Sequence, residues 1–379
     1  MKRLRIVFHG RFPGEKAGSL FAGKSAEAFA ALGIEVELIA PLRLDRVRQT
    51  PAEYWGMQDN FRVRYLPIID LFSVPLLRQI AFFVSIATYL PAVFFYILFT
   101  RRAGDVIYSN EAFPLLPASF IAPAVYELHD FPERMFWVYR ILLRRAALIV
   151  STNNWKRDAL IRRFDVPKDR IVVERNAVDI DALDAISKTA ACTKLRLDPE
   201  ARYVVYTGQF YPWKGTDTLA EAAKLVPDAQ FVFVGGVDVD FARSKARWAQ
   251  AKNIRFTGQV PHGEAALWQK AADVLVVPNT AKEEISAHYT SPMKLFEYMA
   301  SGNPIVASDI PSIREVVDES LVYFARPDNA ASLAQAIEKA LSDPLAVERA
   351  QRASTLVREH TWGARAQRIR AAIEAHSSV

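Results

Sequence analysis

Two loops of this chain hold residue types suited to an anion. In "TGQFYPWKGTDTL", Gly208 permits a tight turn after a strand, and Lys214 stands just before a glycine that opens a helix. A lysine there favours an anion, because free helix N–H groups and the helix dipole point the same way. "HYTSPMKLFEYMASG" repeats the device. Ser291 is a good N-cap and Pro292 a good first helical residue, which would leave the N–H groups of Met293 and Lys294 for a phosphate. At about 100° per residue, Met293, Phe296, Met299 and Ala300 form an apolar arc with Glu297 at its edge. A carboxylate at that edge is partly desolvated and needs a partner. Two partners are open: Lys294, three residues back, or a pair of ligand hydroxyls such as a ribose diol. His129, in "AVYELHD", ends a strand, where a histidine satisfied by backbone is the plain alternative to a ligand contact.

These residues need strands and helices to hold them. "LRIVFHG", "IEVELIAP", "DVIYSN", "AVYELHD" and "ALIVST" are short β-rich runs, each followed by helical sequence. That rhythm implies a parallel sheet covered by helices. It restarts near residue 200 with "ARYVVYTGQ", "AQFVFVGG", "NIRFTGQV", "ADVLVVPN" and "PIVASD". The expectation is an α/β protein of two Rossmann-like, doubly wound domains, over 1–180 and 195–360. The stretch from Asp179 to Pro199 carries no strand, and a last helix within 361–379 packs back on the first domain. Ligands of such sheets bind beyond the carboxyl ends of the strands, where the candidate loops lie.

Composition is that of a globular protein, 51% hydrophobic and 24% charged. A lone cysteine, Cys192, forms no internal disulfide, which fits a reducing, cytoplasmic compartment. The N-terminus reads as a strand rather than a secretory leader. From Phe131 to Arg175 there are eleven Lys/Arg against five Asp/Glu, matching the whole formal excess of +6. Such a segment suits phosphates of a nucleic acid, an anionic membrane or a phosphorylated substrate, or is a solvated face. Without aromatic-interleaved basic motifs or zinc-finger spacing, nucleic acid is set aside. Ile80 to Phe99 runs twenty residues without a charge. It is long enough to cross a bilayer, but Pro91 at its middle, polar Ser85, Thr88 and Tyr89, and flanking strands of one sheet argue against spanning. The expectation is a pair of helices, either buried or lying on an anionic membrane through Leu76–Phe99 and the basic segment.

Taken together, "SPMKLFEYMASGNPIVASD" and "GQFYPWKGTDTL" resemble the glycosyltransferase family 4 type of GT-B enzyme. "YELHD" resembles its first-domain histidine loop, "RNAVD" its hinge motif and "EHTWGARAQRI" its closing helix. The resemblance implies two Rossmann-like domains facing a cleft that holds a nucleotide-diphosphate sugar as co-substrate. It implies glycosyl transfer with retention at the anomeric carbon, with no metal ion and no resident cofactor. By matching position, Glu297 would grip the nucleotide ribose and Lys214 would neutralise the diphosphate leaving group. His129, with Asp130, would position the donor sugar. The loop from Gly10 through Gly18 to Ser19 would face acceptor and diphosphate. The strand end at Thr257–Val260, with Gly258, would read the base by its backbone.

The sequence departs from the family pattern at three places. Tyr289 stands where the first carboxylate of a Glu-x7-Glu motif would fall, Gln209 where an arginine follows Gly208, and Ala177 at the hinge glycine. A carboxylate nucleophile at 289 is therefore excluded. Sugar hydroxyls fall to Tyr289, Thr290, Ser291 or backbone, and the Ser291–Pro292–Met293 helix start shares the phosphate charge with Lys214. The acceptor expected from the apolar and basic segments is a lipid-linked or membrane-proximal glycan, with the enzyme peripheral on the inner face of the plasma membrane. A GT-B-like sugar-nucleotide epimerase and a non-catalytic relative are the alternatives. The Asp238–Asp240 pair superficially resembles a metal-binding Asp-x-Asp but sits where a variable loop is expected.

Overall fold

A computed structural model describes Met1 to His376 apart from Ser73, Glu133, Arg134 and Asp238. The Asp238 end of the acidic pair, two residues of the basic segment and the last three residues of the chain therefore lie outside the described residues. The chain divides into two compact units, one of residues 1–175 with the segment from Trp362 onward, the other Asn176–Thr361. The stretch read as strandless does contain structure: helices Ile180–Asp184 and Lys188–Leu195, both in the second unit.

The first unit is a seven-stranded parallel sheet. Its strands are β1 (Arg3–Val7), β2 (Glu35–Leu42), β3 (Arg62–Pro67), β4 (Asp105–Ser109), β5 (Ala124–Leu128), β6 (Leu148–Ser151) and β7 (Ile171–Val173), in the order β3-β2-β1-β4-β5-β6-β7. Strand order reverses between β1 and β4. The uncharged segment forms one 23-residue helix, Arg78–Thr100, with Pro91 inside it, rather than the expected pair. Pro91 removes one ladder donor, but a continuous buried stripe holds both halves in line. Ala81, Ser85, Tyr89, Val93 and Ile97, spaced by four, are each 0% exposed. The Tyr89 hydroxyl bonds to the Ile39 carbonyl at 2.7 Å and lies 3.1 Å from that of Phe8. Fully buried Arg5 donates to the Thr100 carbonyl at 2.6 Å and its hydroxyl at 2.9 Å. By length and mean hydropathy (2.0), Gln79–Thr100 could cross a membrane, yet one face of it is built into this unit.

The basic segment is not a single solvated face. Lys156 is buried and donates to the His129 carbonyl at 2.6 Å. Arg170 bonds to the carbonyls of Arg144 and Ala146, both at 3.1 Å. Arg140, Arg144 and Arg145, on the helix Phe136–Arg145, stay exposed.

The second unit is a six-stranded parallel sheet of β8 (Arg202–Thr207), β9 (Ala229–Val234), β10 (Ile254–Gly258), β11 (Val274–Val277), β12 (Ile305–Ser308) and β13 (Tyr323–Ala325), ordered β10-β9-β8-β11-β12-β13. Side chains of alternate parity along β8 enter two cores, Val205 on one face and Val204 with Tyr206 on the other. Order reverses between β8 and β11, so the residues after Thr207 and after Val277 border the crevice where such sheets take ligands.

The helix Trp362–His376 closes the first unit through a buried ion network. Arg365 donates to Glu127 at 2.5 Å and to the Arg175 carbonyl at 2.8 Å, while the Tyr108 hydroxyl bonds the other Glu127 oxygen. Burial alone would raise the Glu127 pKa, but Arg365 and then His129 outweigh it and bring the carboxyl down to about 2. Its contribution to stability is therefore complete above the unfolded value and lost as pH falls toward 2, a loss of about 3 kcal/mol by linkage. Arg365→Met removes the guanidinium from a fully buried carboxylate, leaving it only Tyr108 and His129, and should cost the first unit roughly 3–5 kcal/mol. Urea unfolding at pH 7 checks this, and the gap between wild type and variant should shrink by pH 3. A cost under about 1 kcal/mol, the range of an exposed pair, would show that the network carries no weight.

Candidate active site

In the second unit, the switch-point crevice is framed by the loop after β8 and by the helix Met293–Ser301 of the β11–β12 crossover. Tyr298 on that helix fixes the end of β8: its hydroxyl accepts from the Thr207 N–H at 2.8 Å. Gly208 follows at φ +132°, where a Cβ would lie 2.4 Å from both Cε and Nζ of Lys294. The loop then forms a 3₁₀ turn, Pro212–Lys214, ended by Gly215 at φ +67°. A Cβ at Gly215 would stand 1.9 Å from the Pro278 carbonyl, so only glycine lets the β8 and β11 loops meet. The Thr280 N–H to Trp213 carbonyl bond, 3.2 Å, ties them together.

Two ammoniums meet in this crevice. Lys214 Nζ lies 3.8 Å from the centre of the Trp213 ring and Lys294 Nζ 3.7 Å from that of Tyr206. Such contacts with ring faces are worth only ~0.5–2 kcal/mol. Lys294 Nζ is buried without a hydrogen-bond partner. Among the described residues, neither lysine is in a salt bridge. Burial holds the Lys214 pKa down to about 7. Burial holds that of Lys294 far below its usual value, and Lys214 lowers it further while Glu297 opposes.

Glu297 has a partner that the sequence did not suggest. Its Oε2 accepts from Gln269 Nε2 at 2.9 Å, and Gln269 lies on the neighbouring helix His262–Ala271. Lys294 turns away toward Gly208, so the i, i+3 ion pair left open by the sequence is not formed. Gln269 thereby orients the carboxylate from one side and leaves acceptor capacity on the other oxygen.

The helix start differs from the expectation. The N-cap is Pro292, in extended geometry and without a side-chain cap bond, and the helix begins at Met293. Ser291 is outside it: its carbonyl accepts from Asn176 Nδ2 at 2.6 Å and its buried hydroxyl has no partner. The Leu295 N–H closes a tight turn onto the Pro292 carbonyl at 2.9 Å, and the N–H groups of Met293 and Lys294 have no partner among the described residues. Tyr289 is buried in a π-helical turn, Ile285–Tyr289, and the Thr290 hydroxyl closes that turn onto the Ile285 carbonyl at 2.7 Å. Of the three residues expected to meet sugar hydroxyls, only Ser291 therefore has a buried, unbonded oxygen. Gln209 Oε1 is likewise buried and unbonded. At the end of β10, Gly258 accepts from Gly235 N–H at 2.8 Å, and Val260 packs against the core.

In the first unit, His129 follows β5 with Nε2 2.7 Å from Glu127 and its ring edge-on to Phe21, 4.4 Å between centroids. Its tautomer is fixed by a carboxylate rather than by backbone. Asp130 is exposed. In the loop after β1, Gly10 and Gly18 lie against the Phe8 ring, and the buried Ser19 hydroxyl bonds the Arg11 carbonyl at 3.0 Å. Ser19 thus shapes the loop. Glu127, Arg365, Gln269, Tyr298 and the ammonium role of Lys294 were not singled out from sequence. Glu127 had a signal, as the one charge in "AVYEL", two residues before His129 on the same strand face.

Residues 22–182 match the family model described as Glycosyltransferase Family 4, and residues 201–343 the one described as Glycosyl transferases group 1. A phosphatidyl-myo-inositol mannosyltransferase of Mycobacterium leprae is 28% identical over 235 residues, covering 60% of this chain and 58% of that protein. A D-inositol 3-phosphate glycosyltransferase of Mycolicibacterium gilvum is 26% identical over 208 residues, covering 52% and 45%. The chain thus spans less than three fifths of the length of these relatives. Among solved structures, sucrose-phosphate synthase of Thermosynechococcus elongatus aligns with TM-score 0.78 at 19% identity, and Anabaena HepE in complex with UDP with TM-score 0.74 at 20%, both over 100% of each chain. At such identities the likeness establishes the fold, which is GT-B.

The depressed lysines make the crevice pH-sensitive. The unfolded chain keeps lysines protonated to about pH 10.4, whereas folded Lys214 releases its proton near 7. Stability of the second unit should therefore rise with pH from about 7 to 10. An anion filling the site restores both protons. Calorimetric titration with UDP at pH 8, in buffers of different ionisation enthalpy, should show more than half a proton taken up per site. Heats independent of buffer would contradict the assignment.

Proposed function

The chain belongs to the GT-B glycosyltransferases of the family 4 type, and from that premise we propose that it moves a sugar from a nucleotide-diphosphate sugar to an acceptor hydroxyl with retention of anomeric configuration. The observation that carries this reading is that Lys294, its buried Nζ without a hydrogen-bond partner, feels the charge of Lys214, with no salt bridge at either lysine among the described residues. A diphosphate has the charge and the length to satisfy both. Where the family pattern has an arginine, Gln209 is neutral, and Lys294 supplies the second cation from the other side of the crevice. The unpaired N–H groups at the start of the Met293–Ser301 helix add to the same field. The Glu297 carboxylate, held by Gln269, suits the two ribose hydroxyls.

In this reading, the bond from the anomeric carbon to the diphosphate oxygen breaks, and its electron pair stays on the diphosphate. The acceptor oxygen bonds that carbon from the same face, and its proton passes to the departing phosphate oxygen. The protein's share is electrostatic: fixed positive charge where negative charge develops. Two ammoniums and a helix start supply that charge without a metal ion. His129, its tautomer set by Glu127, and Asp130 are assigned to hydroxyls of the transferred sugar. The relatives named as phosphatidyl-myo-inositol mannosyltransferases, together with the exposed Phe82, Phe83, Phe95 and Phe99 and the exposed Arg140 and Arg144 of the same unit, support a lipid-linked acceptor used at the cytoplasmic face of a membrane.

A thermal-shift series with UDP-, GDP- and ADP-sugars tests the donor. At a hundred times Kd the correct nucleotide adds about 2.7 kcal/mol, or roughly 5–10 °C for a unit of this size. Lys294→Met should abolish that shift. Glu297→Ala should weaken the nucleotide roughly 10- to 100-fold and affect pyrophosphate far less. No shift with any nucleotide-diphosphate sugar, or an unaltered one in Lys294→Met, would refute the reading.

A further inference from the structure

In the first unit, helix Ala112–Ala118 forms the floor of a groove between Arg78–Thr100 and Phe136–Arg145. The groove holds about 480 Å³, within the roughly 300–1,000 Å³ of small-ligand pockets, and polar atoms contribute nothing to its wall. Leu90, Phe94, Leu116, Phe120, Trp137 and Val138 line it. Phe120 and Trp137 remain 57% and 63% exposed, so the groove is open to solvent along its length rather than sealed into the core.

One end of this groove is cationic. Around the turn that follows the floor helix, Arg145 lies 3.8 Å over the Phe120 ring and donates to the Ser119 carbonyl at 3.1 Å. Arg101, at the end of the Arg78–Thr100 helix, donates to the Ile121 carbonyl. Each guanidinium spends one donor in holding the turn and keeps the others. Neither is in a salt bridge among the described residues. Neither the floor helix nor Phe136–Arg145 contains an acidic residue. An apolar slot with cations at one mouth is complementary to a single hydrocarbon chain with an anionic head.

We propose that this groove binds one hydrocarbon chain of a phosphate-bearing lipid, with the phosphate on Arg145 and Arg101. This deepens the lipid-acceptor reading and depends on it only for the chain's role in transfer; the binding itself does not. It differs from attachment to a membrane surface, because it takes a single chain out of bulk lipid. Each methylene seated in the slot should tighten binding by about fourfold.

The probe is decyl phosphate below its micelle concentration, titrated against the full chain by fluorescence, with Trp137→Phe identifying the groove signal. Octyl phosphate should bind roughly 15-fold more weakly, since it seats two methylenes fewer. Leu116→Trp should lower decyl phosphate affinity at least tenfold while leaving the UDP-induced thermal shift intact, which also shows that the variant folds. Arg145→Ala should weaken decyl phosphate but not decanol. A lack of chain-length dependence, or displacement by inorganic phosphate alone, would overturn the proposal. So would binding to phosphatidylglycerol vesicles without binding to the monomer, or self-association that Leu116→Trp abolishes. If the UDP shift is absent while decyl phosphate binds as described, the donor reading fails and the groove stands.

Discussion

Two lysines that share a crevice, with no salt bridge at either among the described residues and only the charge of Glu297 opposing their repulsion, set the terms for the second unit. Burying an ion costs several kcal/mol even after relaxation, and the rings of Trp213 and Tyr206 return only part of that. The cost is reduced in the free protein by releasing protons, which is what the lowered pKa values of both lysines express. The surrounding design keeps the strain in place. Gly208 makes room for Lys294, Gly215 lets the loops after β8 and β11 touch, and Tyr298 pins the strand end that carries them. A site of this kind is stabilised by the ligand it awaits.

The first unit handles charge in the opposite way. Glu127 is buried more completely than either lysine, yet it is surrounded by Arg365, Tyr108 and His129. Its negative charge is therefore locked in. One consequence is structural, since Arg365 belongs to the last helix of the chain and the pairing closes that helix onto the sheet. The other is chemical, since the same carboxylate sets the orientation of His129. Paired charge builds the frame, and unpaired charge marks where a ligand belongs.

How much of this the sequence disclosed depended on whether the determining contact was local. Ten of the thirteen described strands, the parallel sheets and the crevice-side loops followed from the βαβ rhythm and glycine placement, because each is set by neighbours in the chain, whereas β3, β7 and β13 were not read. The helix start at Ser291 was misread by one residue, because Asn176, far away in sequence, takes the Ser291 carbonyl and Pro292 becomes the cap. Lys294 and Glu297 look like an i, i+3 pair on paper. In space, Gln269 takes the carboxylate and the lysine folds back over Tyr206. The uncharged segment was broken at Pro91 on propensity alone, whereas a stripe of residues spaced by four carries the helix through. In each case a tertiary partner overrode a local preference.

The central claim, that Lys214 and Lys294 form an anion site, is tested most directly by their own titration. Lysine-labelled protein, with side-chain carbon-13 resonances assigned through Lys214→Arg and Lys294→Met, reports both ammoniums across pH 5–11. Lys214 titrating near 7 and Lys294 well below its usual value in the free protein, with both moving up by more than a unit when UDP is added, are the result expected here. Lysines that titrate near 10.4, or that ignore UDP, would contradict it.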